Sequence, residues 1–184
     1  MRVIAGDWKG RRLAAPTWEG LRPTSDRLRE TLFNVLATRV RGARVLDAYA
    51  GTGAVGLEAL SRGAAWVTFL ERDPRAVRLI ERNLETCRAV EEQPRRYTVD
   101  RGDVTRWTGG DGSLFDLVWL DPPYTDSAAA ALTQLRPWVA DDGLALLEHA
   151  TRRTPDVPVG WTVTRVLASG DSALTFLHPT PVYP

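Results

Sequence analysis

The sequence predicts an α/β protein on a doubly wound, mostly parallel sheet of seven strands, with an antiparallel hairpin at its C-terminal edge. Three observations carry that expectation. From residue 43 onward, apolar runs of strand length alternate with stretches of helical periodicity. A glycine-rich turn follows the first of those runs. The last two runs are separated by a tight turn and no helix, which suits an antiparallel pair finishing one edge.

Residues 1–41 precede the sheet and read as an N-terminal extension made of a hairpin and a helix. Residues 2–5 and 11–13 read as short strands around Gly6-Asp7-Trp8-Lys9-Gly10, a loop with a basic, aromatic tip. Pro16, Trp18 and Gly20 mark a loop over 14–21. Thr24 or Ser25 caps a helix over about 25–40, and Asp26 favours its first turn. Its apolar stripe is Leu28, Leu32, Val35, Leu36 and Val40; Arg27, Glu30 and Asn34 lie off the stripe.

Residues 42–184 form the main domain. The first buried strand covers 43–48 and runs into Gly51-Thr52-Gly53-Ala54-Val55-Gly56, with a helix beyond it to Arg62-Gly63. A second strand over 66–70 closes with Glu71-Arg72-Asp73. Pro74 opens the next helix, a position where its missing N–H costs nothing, and Val77, Leu79, Ile80, Leu84 and Cys87 face the core. The third strand, 95–100, leads to Asp103. The fourth, 115–120, leads to Asp121-Pro122-Pro123-Tyr124. A helix over 128–139, a fifth strand over 143–148 and strands over 161–167 and 172–177 complete the pattern.

Composition narrows the class. The hydrophobic fraction of 43% is ordinary for a globular protein. No apolar run approaches the ~18–20 residues of a membrane span, and the first residues lack the apolar stretch of a signal peptide. One cysteine, Cys87, rules out an internal disulfide and fits the reducing cytoplasm. It reads as a core residue, and with only His149 and His178 beside it in the inventory, zinc-ligand spacing is absent. A metal is therefore not expected, and a monomer is. The net charge of +1 hides an asymmetry: residues 1–44 carry ten Lys/Arg against four Asp/Glu, the remainder fourteen against nineteen. Lys9 is the only lysine, and arginine pairs bidentately with phosphate. A basic front on an acidic body points to a polyanion facing the first segment.

Gly51-x-Gly53-x-x-Gly56 matches the dinucleotide fingerprint, and Glu71 follows Gly51 by twenty residues, the spacing of an acid that binds ribose hydroxyls. Asp47, just ahead of the glycines, disfavours a pyrophosphate and favours a cationic ligand such as the amino-acid end of S-adenosylmethionine. Asp103 offers an acceptor to an adenine amine. Asp47, Glu71, Asp103 and Asp121 thus stand at four strand ends around one crevice. At the last, a carboxylate beside two prolines that donate no N–H forms a rigid cluster of acceptors, and Tyr124 adds a stacking face. That cluster suits a planar group with N–H donors, such as a nucleobase amine.

On these residues the chain resembles a known family. Asp47-Ala48-Tyr49-Ala50-Gly51-Thr52-Gly53 resembles motif I of Rossmann-like class I S-adenosylmethionine-dependent methyltransferases, and Asp121-Pro122-Pro123-Tyr124 resembles their amino-methyltransferase motif IV. Arg2-Val3-Ile4-Ala5-Gly6, Gly10-Arg11-Arg12-Leu13 and the run from Arg22-Pro23-Thr24 to Asn34 are similar to the RsmD family of bacterial 16S rRNA guanine-N2 methyltransferases. The resemblance covers about residues 1–125. It implies that Asp121, Pro122, Pro123 and Tyr124 position the target amine. It further implies that Asp47, Ala48, Tyr49, Gly51, Thr52, Gly53, Glu71, Arg72, Asp103, Val104 and Asp121 surround S-adenosylmethionine. Lys9, Arg11, Arg12, Arg22, Arg27 and Arg29 are candidates for RNA phosphates. No insert is long enough for a separate target-recognition domain, so the expected partner is a structured 16S rRNA within the small ribosomal subunit. The alternatives are a DNA adenine or cytosine amino-methyltransferase, a glutamine methyltransferase, whose relatives carry Asn in place of Asp121, and a non-catalytic module that binds S-adenosylmethionine or RNA.

Overall fold

In a computed structural model, which describes residues 1–20, 24–91, 95–123 and 125–180, the alternation of strand side chains sets the layers. Seven strands form one sheet: β1 (Arg44–Asp47), β2 (Trp66–Glu71), β3 (Tyr97–Arg101), β4 (Phe115–Leu120), β5 (Val139–Ala150), β6 (Trp161–Ser169) and β7 (Ser172–Pro179). Their order is β3-β2-β1-β4-β5-β7-β6. The first five are parallel, and β7 pairs antiparallel with both β5 and β6. Successive residues point to opposite faces of a strand. Val45, Phe69, Leu117, Trp119 and Leu146 accordingly enter one core cluster, while Leu46, Leu70, Val118, Leu120 and Leu147 enter another.

Helices divide between the two faces in the same way. The first cluster takes Leu32 and Phe33 from α1 (Asp26–Leu36), Leu57 and Leu60 from α2 (Ala54–Ser61), and Ile80 and Leu84 from α3 (Pro74–Thr86). The second takes Ala131, Leu132 and Leu135 from α4 (Ala128–Leu135). Local chemistry fixes the starts. The Ser25 side chain accepts from Leu28 N–H, Asp73 from Arg75 N–H ahead of Pro74, and Ser127 from Ala130 N–H. No helix among the described residues is long and apolar enough to cross a membrane.

Several boundaries differ from the sequence reading. The helix expected over 128–139 stops at Leu135, because Pro137 cannot continue the α-helical ladder; a 3-10 turn (Arg136–Trp138) follows and β5 starts at Val139. Around Gly143 the β4–β5 register shifts, and a Cβ there would stand 2.7 Å from Val139 Cγ1. The helix expected over 25–40 ends at Leu36, where Ala37 leaves helical geometry at φ 30°, and a 3-10 turn (Ala37–Arg39) swings Val40 into the core. The third strand starts two residues late, at Tyr97. The expected front hairpin is reduced to one isolated bridge, Arg2 with Arg12. Its supposed exposed tip is also corrected, for Trp8 is buried in the first cluster together with Val3 and Leu13.

Candidate active site

The sheet order reverses between β1 and β4, and in open α/β sheets the crevice at such a point is where ligands bind. A cleft of about 1450 Å³ opens there at the carboxyl ends of the strands. One half is built on β1, β2 and β3, the other on β4 and β5.

In the first half the glycines divide their labour. Gly51 and Gly53 take left-handed φ of 54° and 75°, which lets the chain turn tightly from β1 into α2. Gly56 instead serves packing: a Cβ there would lie 2.3 Å from Phe69 Cε1. Carboxylates hold the turn. Gly51 N–H donates to Glu71 Oε2 at 2.9 Å, and Asp73 N–H to Glu71 Oε1 at 2.8 Å. Gly56 N–H donates to Asp47 Oδ2 at 2.9 Å, but the buried Asp47 Oδ1 has no donor. Burial is the main reason the Asp47 carboxyl is pushed up to about 7; the nearby Glu71 charge adds to the rise, and the Gly56 donor opposes it.

The remaining residues of this half take distinct places around the same cleft. Ala48 and Val104 are buried in the second core cluster beneath it. Asp103 caps a short 3-10 turn (Val104–Arg106), accepting from Thr105 N–H at 2.9 Å and Thr105 Oγ1 at 2.7 Å, and these donors hold its carboxyl below the usual range. Tyr49 is half-buried, and its hydroxyl has no partner; burial, with Asp126 and Asp103 nearby, pushes the phenol up. Arg72 pairs with Asp126 at 3.0 Å, linking the end of β2 to the loop beyond β4. Thr52 is buried, and its carbonyl accepts from Asn83 Nδ2 at 2.9 Å.

In the second half, Asp121 ends β4 and lines the cleft with Pro122 and Pro123. The Pro123 carbonyl accepts from Asp126 N–H at 2.9 Å, which closes the turn. Tyr124 lies outside the described residues. Beside Asp121 stands a residue that the sequence reading passed over: Glu148, at the end of β5, lines the same cleft. The signal for it was an acid directly after the apolar run 144–147. Burial raises the Asp121 carboxyl, and the charges of Glu148 and Asp47 add to the rise; burial likewise raises Glu148.

The basic front is only partly available. Lys9, Arg12 and Arg27 are exposed, whereas Arg22 lies outside the described residues. Arg29, expected to meet RNA, is corrected: it is fully buried, with Nη2 donating to Asp26 Oδ1 (2.6 Å) and to the Arg2 carbonyl (2.8 Å), and Nη1 to Glu58 Oε2 (3.5 Å). A buried guanidinium persists only when paired, so this one is an internal tie. Arg11 is half-buried and donates to the Thr86 and Cys87 carbonyls at the end of α3, which also removes it from the free phosphate binders.

That tie is part of a seam between the front segment and the helices. Glu58 accepts from Ile4 N–H (2.7 Å) and Ala5 N–H (2.9 Å), and Ser61 Oγ accepts from Trp8 N–H (2.9 Å). Asn83, fully buried on α3, accepts from Ala14 N–H (2.7 Å) while its Nδ2 reaches the Ala14 and Thr52 carbonyls. One amide therefore joins the front segment to the glycine turn.

Comparison with known proteins gives the family and the fold. The family model described as conserved hypothetical protein 95 matches residues 1–178. The Ribosomal RNA small subunit methyltransferase D of Escherichia coli K12 is 37% identical over 177 residues, covering 94% of this chain and 87% of its own. Its Haemophilus influenzae counterpart is 36% identical over 173 residues, covering 92% and 89%. A solved Escherichia coli structure superposes with a TM-score of 0.83 at 33% identity, over 97% of each chain.

Proposed function

We propose a reaction from one established premise: this chain belongs to the RsmD family, whose matched curated relatives are named as methyltransferases of small-subunit ribosomal RNA. The proposed reaction is transfer of a methyl group from S-adenosylmethionine to the exocyclic N2 of a guanine in 16S rRNA. The observation that carries it is the placement of Asp121 and its two prolines on the same cleft as the Gly51–Gly53 turn.

The residues of the first half fit S-adenosylmethionine. Asp47 Oδ1, buried without a donor, is the kind of group that a cationic ligand satisfies, and the left-handed glycines leave room for close backbone approach. Asp47 would hold the charged methionine end, Glu71 the ribose hydroxyls and Asp103 the adenine amine. Ala48, Tyr49, Thr52, Arg72 and Val104 would complete the surroundings. When bound, the cofactor supplies an electrophilic methyl group on a sulfonium and keeps the C–S electron pair as a neutral thioether. The chain's own contribution is orientation. An exocyclic guanine amine is a weak nucleophile because its lone pair is delocalised into the ring. The Asp121 carboxylate and the Pro122 carbonyl, by accepting its two N–H bonds, aim that lone pair at the methyl carbon. Asp121 or water would take the proton that the amine loses. Pro123 fixes the turn, and Tyr124 supplies the stacking face. A base drawn from its stack costs a few kcal/mol, which contacts to Lys9, Arg12, Arg22 and Arg27 help to offset.

The test is transfer of a labelled methyl group to naked 16S RNA and to small subunits, followed by nucleoside identification. N2-methylguanine on small subunits is the expected product. Equal activity on random duplex DNA would overturn the reading, as would a methylated adenine or cytosine.

A further inference from the structure

Asp121 and Glu148 follow residues that face each other across neighbouring parallel strands, since Leu120 is in register with Leu147. Such strands run about 4.8 Å apart, so the two carboxyls stand side by side. Both lie on the face of Trp119 and Leu146, and both open on the cleft. The two oxygens of Glu148 differ. Oε1 accepts from Ser172 Oγ at 3.0 Å, whereas Oε2 is buried with no donor. A buried carboxylate oxygen without a donor is costly as an anion. As the hydroxyl of the neutral acid it needs an acceptor instead, and Asp121 is beside it.

No cation takes over that role: among the described residues neither carboxyl forms an ion pair. Of the charged groups, Asp47, buried on β1, acts on Asp121, and Asp171 from the turn between β6 and β7 and Arg153 and Asp156 beyond β5 line the same cleft. His149, next in the chain, points away and meets Thr175 Oγ1 at 2.8 Å. The surroundings are therefore mostly acidic, which favours retention of a proton.

We propose that Glu148 is a positioning residue that holds one proton for the pair and donates it to Asp121, so that Asp121 keeps the negative charge and faces the target amine. This rests on the reading of Asp121 as the acceptor of that amine. Burial raises both groups, the direction a shared proton requires; the Glu148 charge adds to the rise at Asp121 and the Ser172 donor opposes it at Glu148, so it is the donorless Oε2 that puts the proton on Glu148. At high pH the proton leaves and two anions repel. At low pH both groups are neutral and Asp121 no longer accepts as an anion. The rate is then bell-shaped in pH.

Two variants and one spectrum test this. Glu148→Gln keeps an acceptor for Ser172 and puts a permanent N–H donor where the proton sat; Glu148→Ala removes both. With small subunits and saturating S-adenosylmethionine, Glu148→Ala should lower kcat about 10–100-fold, the worth of a hydrogen bond to a charged group. Glu148→Gln should recover most of that loss at neutral pH and abolish the alkaline limb of the profile. At neutral pH the infrared difference between wild-type protein and Glu148→Gln should contain the carbonyl band of a protonated carboxylic acid, the Asp47 contribution being common to both and cancelling. An unchanged alkaline limb in Glu148→Gln, a loss as deep as that of Glu148→Ala, or a difference spectrum without the band each overturns the proposal. Wild-type protein that methylates no guanine would instead sink the proposed reaction, and the band would still decide where the proton is.

Discussion

The two halves of the cleft treat their carboxylates in opposite ways. Beneath the glycine turn, Glu71 and Asp103 have their oxygens engaged by backbone N–H and hydroxyl donors. Asp103 is held below the usual range by its Thr105 donors. Across the crevice, Asp121 and Glu148 stand half-buried side by side, and Ser172 is the one donor described for the pair. A carboxylate held by donors shapes a site; a carboxylate short of donors stores a proton problem that a substrate can resolve. In the proposed reaction the first half holds and the second reacts. Asp47 stands at the border, with one oxygen satisfied by Gly56 and the other alone.

That division can be broken by mutation. The largest expected effect is at Asp121. Asp121→Asn should lower methyl transfer about 1,000-fold, the scale of losing one preorganised electrostatic group, while cofactor affinity changes by no more than a few fold. Equal loss of cofactor binding, read by calorimetry, would show that the halves are not separable. Glu71→Ala is the mirror experiment. It frees the Gly51 and Asp73 N–H groups and should weaken S-adenosylmethionine by about 10–100-fold, leaving the shape of the kcat–pH profile intact.

A smaller effect tests the border residue. The Asp47 pKa is raised by folding, so the native state binds the proton more tightly than the unfolded chain. Its contribution is full below 3.8, the ordinary value of an aspartate, and is lost as pH rises towards about 7. Within that window stability should fall by at most about 1.4 kcal/mol per pH unit for this group. Urea unfolding across the window should show that slope reduced in Asp47→Asn. The smallest effect belongs outside the cleft. Arg27→Ala should weaken small-subunit binding a few fold and reduce the slope of log affinity against log salt by about one, whereas cofactor affinity should stay constant.

Much of this was legible in the residues. The seven strands, the helix starts at Ser25 and Pro74, and the turn at Gly51 and Gly53 are local signals, and local signals survive folding. What escaped depends on which distant residues meet. Glu148 gains its interest from the β4–β5 register, and periodicity carries no register between parallel strands. Arg29 looks like a solvated helix arginine until Glu58, twenty-nine positions later, is brought against it. Trp8 reads as a loop tip because the core that buries it is supplied by α1 and α2. The alanine-rich run 128–131 carries helical propensity towards Val139, but Pro137 ends the fourth helix at Leu135.

The seam along the front segment also sets an order in time. Ile4 and Trp8 find their partners on Glu58 and Ser61, separations of 54 and 53 positions, and Ala14 finds Asn83 across 69. During synthesis this segment thus waits, without its hydrogen-bond partners, until two helices have been made. Closing loops of that length costs only slowly increasing entropy but delays native contact, and unplaced apolar chain is prone to stray association. This segment is made before the helices that fix it, and the Asn83 amide is where its placement becomes complete.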